Sequence, residues 1–204
     1  MTRWGRLHER YHTERPRRIL SLDGGGIRGI MTLEVLARIE ELVREKHGPD
    51  ARLCEWFDYI GGTSTGAIIA TGLARGMSVG ELLDFYQKTG PEMFDKRALW
   101  HRWKSLYSAE PLREELQDTF GSGTTLEPEY LRCLLLVVTR NLTTDSPWPI
   151  SSNPDAKYND PERTDCNLRI PLWRLVRAST AAPIYFPPEV LHWDENDRSK
   201  SFVF

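Results

Sequence analysis

The sequence predicts an α/β fold with a mainly parallel central sheet flanked by helices. Two observations carry that prediction. A short apolar strand, a glycine cluster and a helical pattern follow one another twice: residues 18–22 lead into Asp23-Gly24-Gly25-Gly26-Ile27-Arg28-Gly29, and residues 57–60 lead into Gly61-Gly62-Thr63-Ser64-Thr65-Gly66. Residues 134–139 then form a continuous apolar run, the pattern of a strand covered on both faces, as parallel sheets require. Strands alternating with helices in this way give crossover units rather than hairpins.

Residues 1–17 are polar, with arginines at 3, 6, 10, 15 and 17, and read as a basic arm ahead of one domain over 18–204. Two readings of the arm stand: a solvated, partly ordered tail, or a basic segment that meets anionic lipid headgroups. After the first glycine cluster a helix is expected from the stripe Leu33, Leu36, Ile39 and Val43, with Val35 and Leu42 alongside and Glu34, Arg38, Glu41 and Arg44 opposite. It stops at His47-Gly48-Pro49. Residues 67–74 read as a small-residue, tightly packed helix, and residues 81–87, 112–120 and 171–178 as further helices. Residues 141–164, rich in Pro, Asn, Asp and Ser, read as a loop excursion.

The 204 residues suffice for one sizeable core, and 40% apolar with 27% charged residues is an ordinary globular mixture. A formal charge of −2 gives no overall pull toward nucleic acid. Cys54, Cys133 and Cys166 are odd in number, widely spaced and without a C-x-x-C pair, which suggests neither a zinc knuckle nor a disulfide framework and favours a reducing compartment. The N-terminus lacks the apolar stretch of a signal peptide, and the longest apolar runs, 67–70 and 134–138, are too short to span a bilayer. A cytoplasmic protein is expected, with membrane contact no more than peripheral.

Gly62-Thr63-Ser64-Thr65-Gly66 is a G-x-S-x-G pattern. Its setting, between an apolar strand and a small-residue helix, is that of a nucleophile elbow, where a sharp turn pushes the serine hydroxyl out of the sheet. A second match, Gly76-Met77-Ser78-Val79-Gly80, follows a helix instead, and Ser78 stands three residues before Glu81, as a capping box requires. Gly24-x-Gly26-x-x-Gly29 could belong to a dinucleotide site, but the acidic residue expected about 20 residues on would fall in residues 39–44, which still look helical. Consecutive glycine amides at a helix start also form an anion-binding nest, which an acyl hydrolase needs for its oxyanion.

The two motifs in this order resemble the patatin-like phospholipase family. Asp23–Gly29 fits the family pattern D-G-G-G-x-R-G, Gly62–Gly66 fits its G-x-S-x-G, and the stretch Val176-Arg177-Ala178-Ser179-Thr180-Ala181-Ala182-Pro183-Ile184-Tyr185-Phe186-Pro187-Pro188 looks like the segment that precedes its catalytic aspartate. The resemblance implies a three-layer fold and a lipid acyl hydrolase working through a Ser–Asp dyad without a cofactor or metal. It implies Ser64 as nucleophile, and an oxyanion hole built around Gly24, Gly25, Gly26 and Gly29, which the amide of Thr65 joins. Arg28 steadies that loop, holds the anionic head of a substrate, or is simply a surface arginine.

The family's aspartate lies in a D-G-G or D-G-A motif after the third stretch, and here the one Asp-Gly pair is Asp23-Gly24. Residues 201–204, Ser-Phe-Val-Phe, look like a strand leading into that motif, so the sequence reads as stopping just before its base. Asp194 and Asp197 sit in a polar turn without a following glycine and are not assigned; among the histidines only His192 is kept as a remote alternative base. A catalytically silent lipid-binding or regulatory fragment is therefore a second expectation. Trp100, Trp103 and Tyr107, with Arg97, Arg102 and Lys104 around them, fall on one helical face that suits a membrane interface, a lid over a greasy cleft, or a core-facing stripe.

Overall fold

A computed structural model describes residues 3–94, 110–181, 187–193 and 201–204. The aromatic stretch 97–107, the stretch 182–186, Asp194 and Asp197 lie outside the described residues. A four-stranded sheet runs in the order β1 (Ile19–Leu22), β2 (Tyr59–Thr63), β3 (Leu134–Asn141) and β4 (Ser146–Ser151). β1, β2 and β3 are parallel, with Leu22 opposite Gly62 and Gly62 opposite Val137. The helices are α1 (His8–His12), α2 (Gly29–His47), α3 (Leu53–Trp56), α4 (Thr65–Arg75), α5 (Val79–Phe94), α6 (Glu110–Phe120) and α7 (Leu172–Thr180). This is the mainly parallel sheet with packed helices that the sequence predicts.

α4 is the centre of the core. Every residue from Thr65 to Ala74 is buried. Its small side chains let it lie close against Leu22, Ile60 and Val137 of the sheet, all in the same apolar cluster. α2 buries Leu33, Leu36 and Val43, whereas Val35 and Leu42, expected beside that stripe, are 63% and 48% exposed. Their place on the inner face is taken by Glu40, 2% exposed. Its carboxylate accepts from the Val79 amide at 3.2 and 3.3 Å and pairs with Arg44 at 2.7 Å, so a buried acid on α2 caps α5.

Two expectations are corrected. Residues 141–164 are not all loop, because β4 pairs antiparallel with β3. Pro147 and Pro149 concealed it, and they are tolerated because β4 is the edge strand, where a missing N–H need not face a partner. Nor is the N-terminal arm a solvated tail. Leu7 is 2% exposed, and the Arg10 guanidinium donates to the carbonyls of Cys54 (2.7 Å), Glu55 (3.1 Å), Phe57 (2.7 Å) and Arg132 (3.0 Å) and to Asp58 (2.9 Å). Asp58 also takes Arg15 and the Arg18 amide. These contacts gather the entry points of β1, β2 and β3 under one arginine pair.

Residues 201–204 do form a strand, β6 (Ser201–Val203), which pairs antiparallel with β5 (Val190–His192). Phe204 is 1% exposed and packs edge-on against Trp148 and at a tilt to Trp193. The cysteines are free and buried, and burial pushes the Cys54 thiol up to about 11. Among the described residues no helix is long and apolar enough to cross a membrane.

Burial alone would raise the Asp58 carboxyl, but the bonds from Arg15, the Arg18 amide and Arg10 outweigh it and hold it at about 2, below its ordinary 3.8. A depressed carboxylate stabilises the fold fully above its unfolded value and loses that contribution as the pH falls through the folded one. Acid titration followed by circular dichroism should therefore show stability falling between about pH 4 and pH 2. Asp58→Asn should lose on the order of 3 kcal/mol in urea unfolding at neutral pH, because it leaves two arginines without their shared carboxylate.

Candidate active site

β2 leaves the sheet at Thr63, and Ser64 turns the chain into α4 with φ 53° and ψ −124°. A positive φ is costly for a residue with a side chain and persists only where the surroundings impose it. The surroundings here are backbone. A β-carbon on Gly66 would stand 2.2 Å from the Leu22 carbonyl oxygen, and one on Gly62 would stand 2.2 Å from the Gly66 carbonyl oxygen. Only glycines let β1, β2 and α4 pass this closely around the Ser64 turn. Ser64 is the half-buried N-cap of an 11-residue helix, where the Ala67 amide bonds back to the Ser64 carbonyl at 2.9 Å and the amides of Thr65 and Gly66 precede the first helical bond.

The glycine loop leaves β1 beside this turn. A β-carbon on Gly24 would lie 2.8 Å from the Ser64 β-carbon and 3.6 Å from its hydroxyl oxygen, so the loop passes directly over the serine. Gly26 has φ +58°, a short 3₁₀ turn spans Gly26–Arg28, and the Arg28 amide closes on the Gly25 carbonyl at 3.2 Å. Gly29 opens α2, buried. The Arg28 side chain is exposed. The Gly25 amide donates to Thr65 Oγ1 at 3.1 Å, which ties the glycine loop to the first residue of α4.

Two further side chains hold this arrangement, and sequence reasoning missed both. The Tyr86 hydroxyl, on α5, donates to the Thr65 carbonyl at 2.9 Å, and its ring closes the space over Gly29, where a β-carbon would fall 3.0 Å from the ring. Burial raises the Tyr86 phenol above its ordinary range, so it remains a neutral donor. Ser179, on α7, accepts from the Ser64 amide at 2.8 Å and donates to the Val138 carbonyl at 2.7 Å. The family-like stretch 176–188 signalled that this region matters but not which atom it offers. A cavity of 260 Å³ opens beside Thr63 and Ser179, walled by Val138, Leu142, Ala178 and Phe204.

The remaining candidates separate cleanly. Ser78 accepts from the Glu81 amide while Glu81 accepts from the Ser78 amide and hydroxyl, so the second G-x-S-x-G is a helix cap, as expected. β2 ends at Thr63 and Ser64 rather than at an acidic residue, and residues 39–44 are helical, which removes the context a dinucleotide site needs. His192 lies exposed on β5 with Nδ1 2.5 Å from Ser201 Oγ, and it makes no bond to Ser64. Among the described residues no carboxylate or imidazole hydrogen-bonds the Ser64 hydroxyl.

The fold is thus an α/β protein with a serine at a strand–helix turn and a glycine loop against it. The family model for patatin-like phospholipase matches residues 20–198, and the chain belongs to that family. It is 34% identical over 191 residues to a cGAMP-activated phospholipase of Vibrio cholerae, covering 87% of this chain and 51% of that one. A cGAMP-activated phospholipase of Escherichia coli is 36% identical over 184 residues, covering 86% and 49%. The chain thus spans about half the length of these relatives. The crystal structure of VipD from Legionella pneumophila superposes with a TM-score of 0.53 over 94% of this chain and 46% of that one, at 15% identity, a likeness of fold alone.

The glycines of the two motifs should respond differently to a methyl group. Gly66→Ala and Gly62→Ala force a β-carbon into backbone and should cost about 3 kcal/mol or more, read as a large fall in thermal midpoint or loss of soluble protein. At Gly25 a β-carbon would meet the Arg28 side chain, its β-carbon at 3.4 Å and its δ-carbon at 3.8 Å, so Gly25→Ala should fold with a change within about 1 kcal/mol.

Proposed function

We propose that the protein is a lipid acyl hydrolase that cleaves carboxylic esters of phospholipids or related lipids through an acyl-serine intermediate on Ser64. The observation that carries it is the Ser64 turn itself, held by backbone contact at φ 53° with Gly24 against its side chain. Family membership supplies the substrate class.

In this reading a base takes the Ser64 proton as the oxygen attacks the ester carbonyl. The tetrahedral oxyanion forms toward the amides of Gly25, Gly26 and Thr65, the leaving alcohol recovers the proton, and water then hydrolyses the acyl-serine. Each oxyanion donor contributes on the order of 3 kcal/mol to the transition state. The Gly25 amide is engaged with Thr65 Oγ1 and must exchange that partner to serve the oxyanion, whereas the Thr65 amide, at the first position of α4, precedes the first helical bond. Gly24 and Gly29 shape the loop, and the exposed Arg28 is a candidate for an anionic headgroup. The base is proposed to be the aspartate of a Ser–Asp dyad, in an Asp-Gly motif that the 204 residues do not hold outside Asp23-Gly24. The cavity beside Thr63 suits part of an acyl chain, and the lipid surface is met peripherally.

In the full-length protein, Ser64→Ala should abolish both hydrolysis of a short-chain acyl ester and labelling by a fluorophosphonate probe, while Ser78→Ala keeps both. Undiminished labelling of Ser64→Ala would place the nucleophile elsewhere. Absence of hydrolysis and labelling in the unmutated protein, with retained binding to phosphatidylcholine vesicles, would favour the silent lipid-binding reading, which the lack of a hydrogen-bonded base among the described residues keeps open.

A further inference from the structure

The backbone hydrogen bond that would continue the sheet past β2 is replaced by a side-chain hydroxyl bonded to both of its groups. The Leu134 amide donates to the Asp58 carbonyl at 3.0 Å, one residue before its register partner Tyr59. In a parallel ladder the bonding residues of a strand alternate, so on β3 they are Leu134, Leu136 and Val138. Since Val138 stands opposite Thr63, its carbonyl is the acceptor that the Ser64 amide would meet if β2 ran on as a strand. It does not meet it. The Ser64 amide donates to Ser179 Oγ at 2.8 Å, and Ser179 Oγ donates to the Val138 carbonyl at 2.7 Å. Thr63 Oγ1 reaches the same carbonyl only at 3.5 Å.

We propose that Ser179 is a positioning residue for Ser64. Its hydroxyl acts as an inserted rung between β2 and β3, and this rung fixes how far the Ser64 backbone stands from the sheet. One hydroxyl satisfies both groups because it accepts and donates at once, which no apolar side chain can do. Without it, the Ser64 amide and the Val138 carbonyl must stay unpaired, take a less constrained water from the adjoining cavity, or close on each other. Closure would draw the turn toward the sheet and shift the serine hydroxyl relative to Gly24 above it. The anchor on α7 is firm: Ala178 and Thr180 on either side are buried, and the Thr180 hydroxyl bonds the Arg177 carbonyl at 3.0 Å. The inference rests on Ser64 as the reacting serine, and adds that α7, more than a hundred residues downstream (115), sets its position.

The test measures fluorophosphonate labelling rates and ester-hydrolysis kinetics of the full-length protein, with thermal midpoints, for Ser179→Ala, Ser179→Val, Ser179→Thr and Ser64→Ala. A displacement of about 1 Å costs on the order of a hundredfold in rate, so Ser179→Ala and Ser179→Val should lose about that much in labelling rate and kcat, with KM little changed. Ser179→Thr keeps the hydroxyl, has the shape of valine, and has the adjoining cavity to receive its methyl group, so it should recover most of the rate. Equal rates in Ser179→Ala and the unmutated protein, or equal losses in Ser179→Thr and Ser179→Val, would overturn the proposal. So would losses that only track the thermal midpoint. Labelling that persists in Ser64→Ala would instead overturn the assignment of the nucleophile.

Discussion

The space where β1, β2 and α4 cross has no room for a β-carbon, and much of the molecule is arranged around that fact. Gly62 and Gly66 lie within 2.2 Å, measured from where a side chain would begin, of the carbonyls of Gly66 and Leu22. Because those elements touch backbone to backbone, α4 sinks onto the sheet and buries Thr65 to Ala74. Its buried position brings the Thr65 carbonyl to the Tyr86 hydroxyl on α5 and the Thr65 hydroxyl to the Gly25 amide. The positive-φ turn at Ser64 lies at this crossing, between the two glycines.

Much of this was legible in the amino-acid order. Glycine clusters placed directly after apolar strands mark crossings of this kind, and the small residues of α4 mark a helix that must lie close. What escaped were the polar groups that act across long sequence distances. Glu40 looks like one of several acids on an amphipathic helix, and its capping of α5 depends on how α2 and α5 pack. Tyr86 and Ser179 are separated from Thr65 and Ser64 by 21 and 115 residues, and neither carries a local spacing that announces its partner. β4 was hidden for the opposite reason: its prolines are a loop signal, and only its place at the sheet edge makes them acceptable in a strand.

The two ends of the parallel strands are used differently. At their carboxyl ends stand the glycine loop, the Ser64 turn and the Ser179 rung, where open α/β sheets usually place their ligands. At their amino ends the chain concentrates charge and neutralises it internally. Asp58, 1% exposed, is matched by Arg10 and Arg15, and Arg17 donates to the carbonyls of Arg10, Tyr11 and Thr13. Of the five arginines in residues 1–17, Arg10 and Arg15 are thus engaged with Asp58, while Arg3, Arg6 and Arg17 remain exposed.

The Arg10 contacts also impose an order of events on a growing chain. One of the carbonyl partners of Arg10, that of Arg132, is 122 residues downstream. At ordinary rates of synthesis that interval is about 6–25 s, during which the arm can find Asp58 but cannot complete its set of acceptors. Closing so long a loop is slow and entropically costly, and its reward arrives only once β3 has been added beside β2. The Arg10 set is therefore complete only after β3 has joined β2.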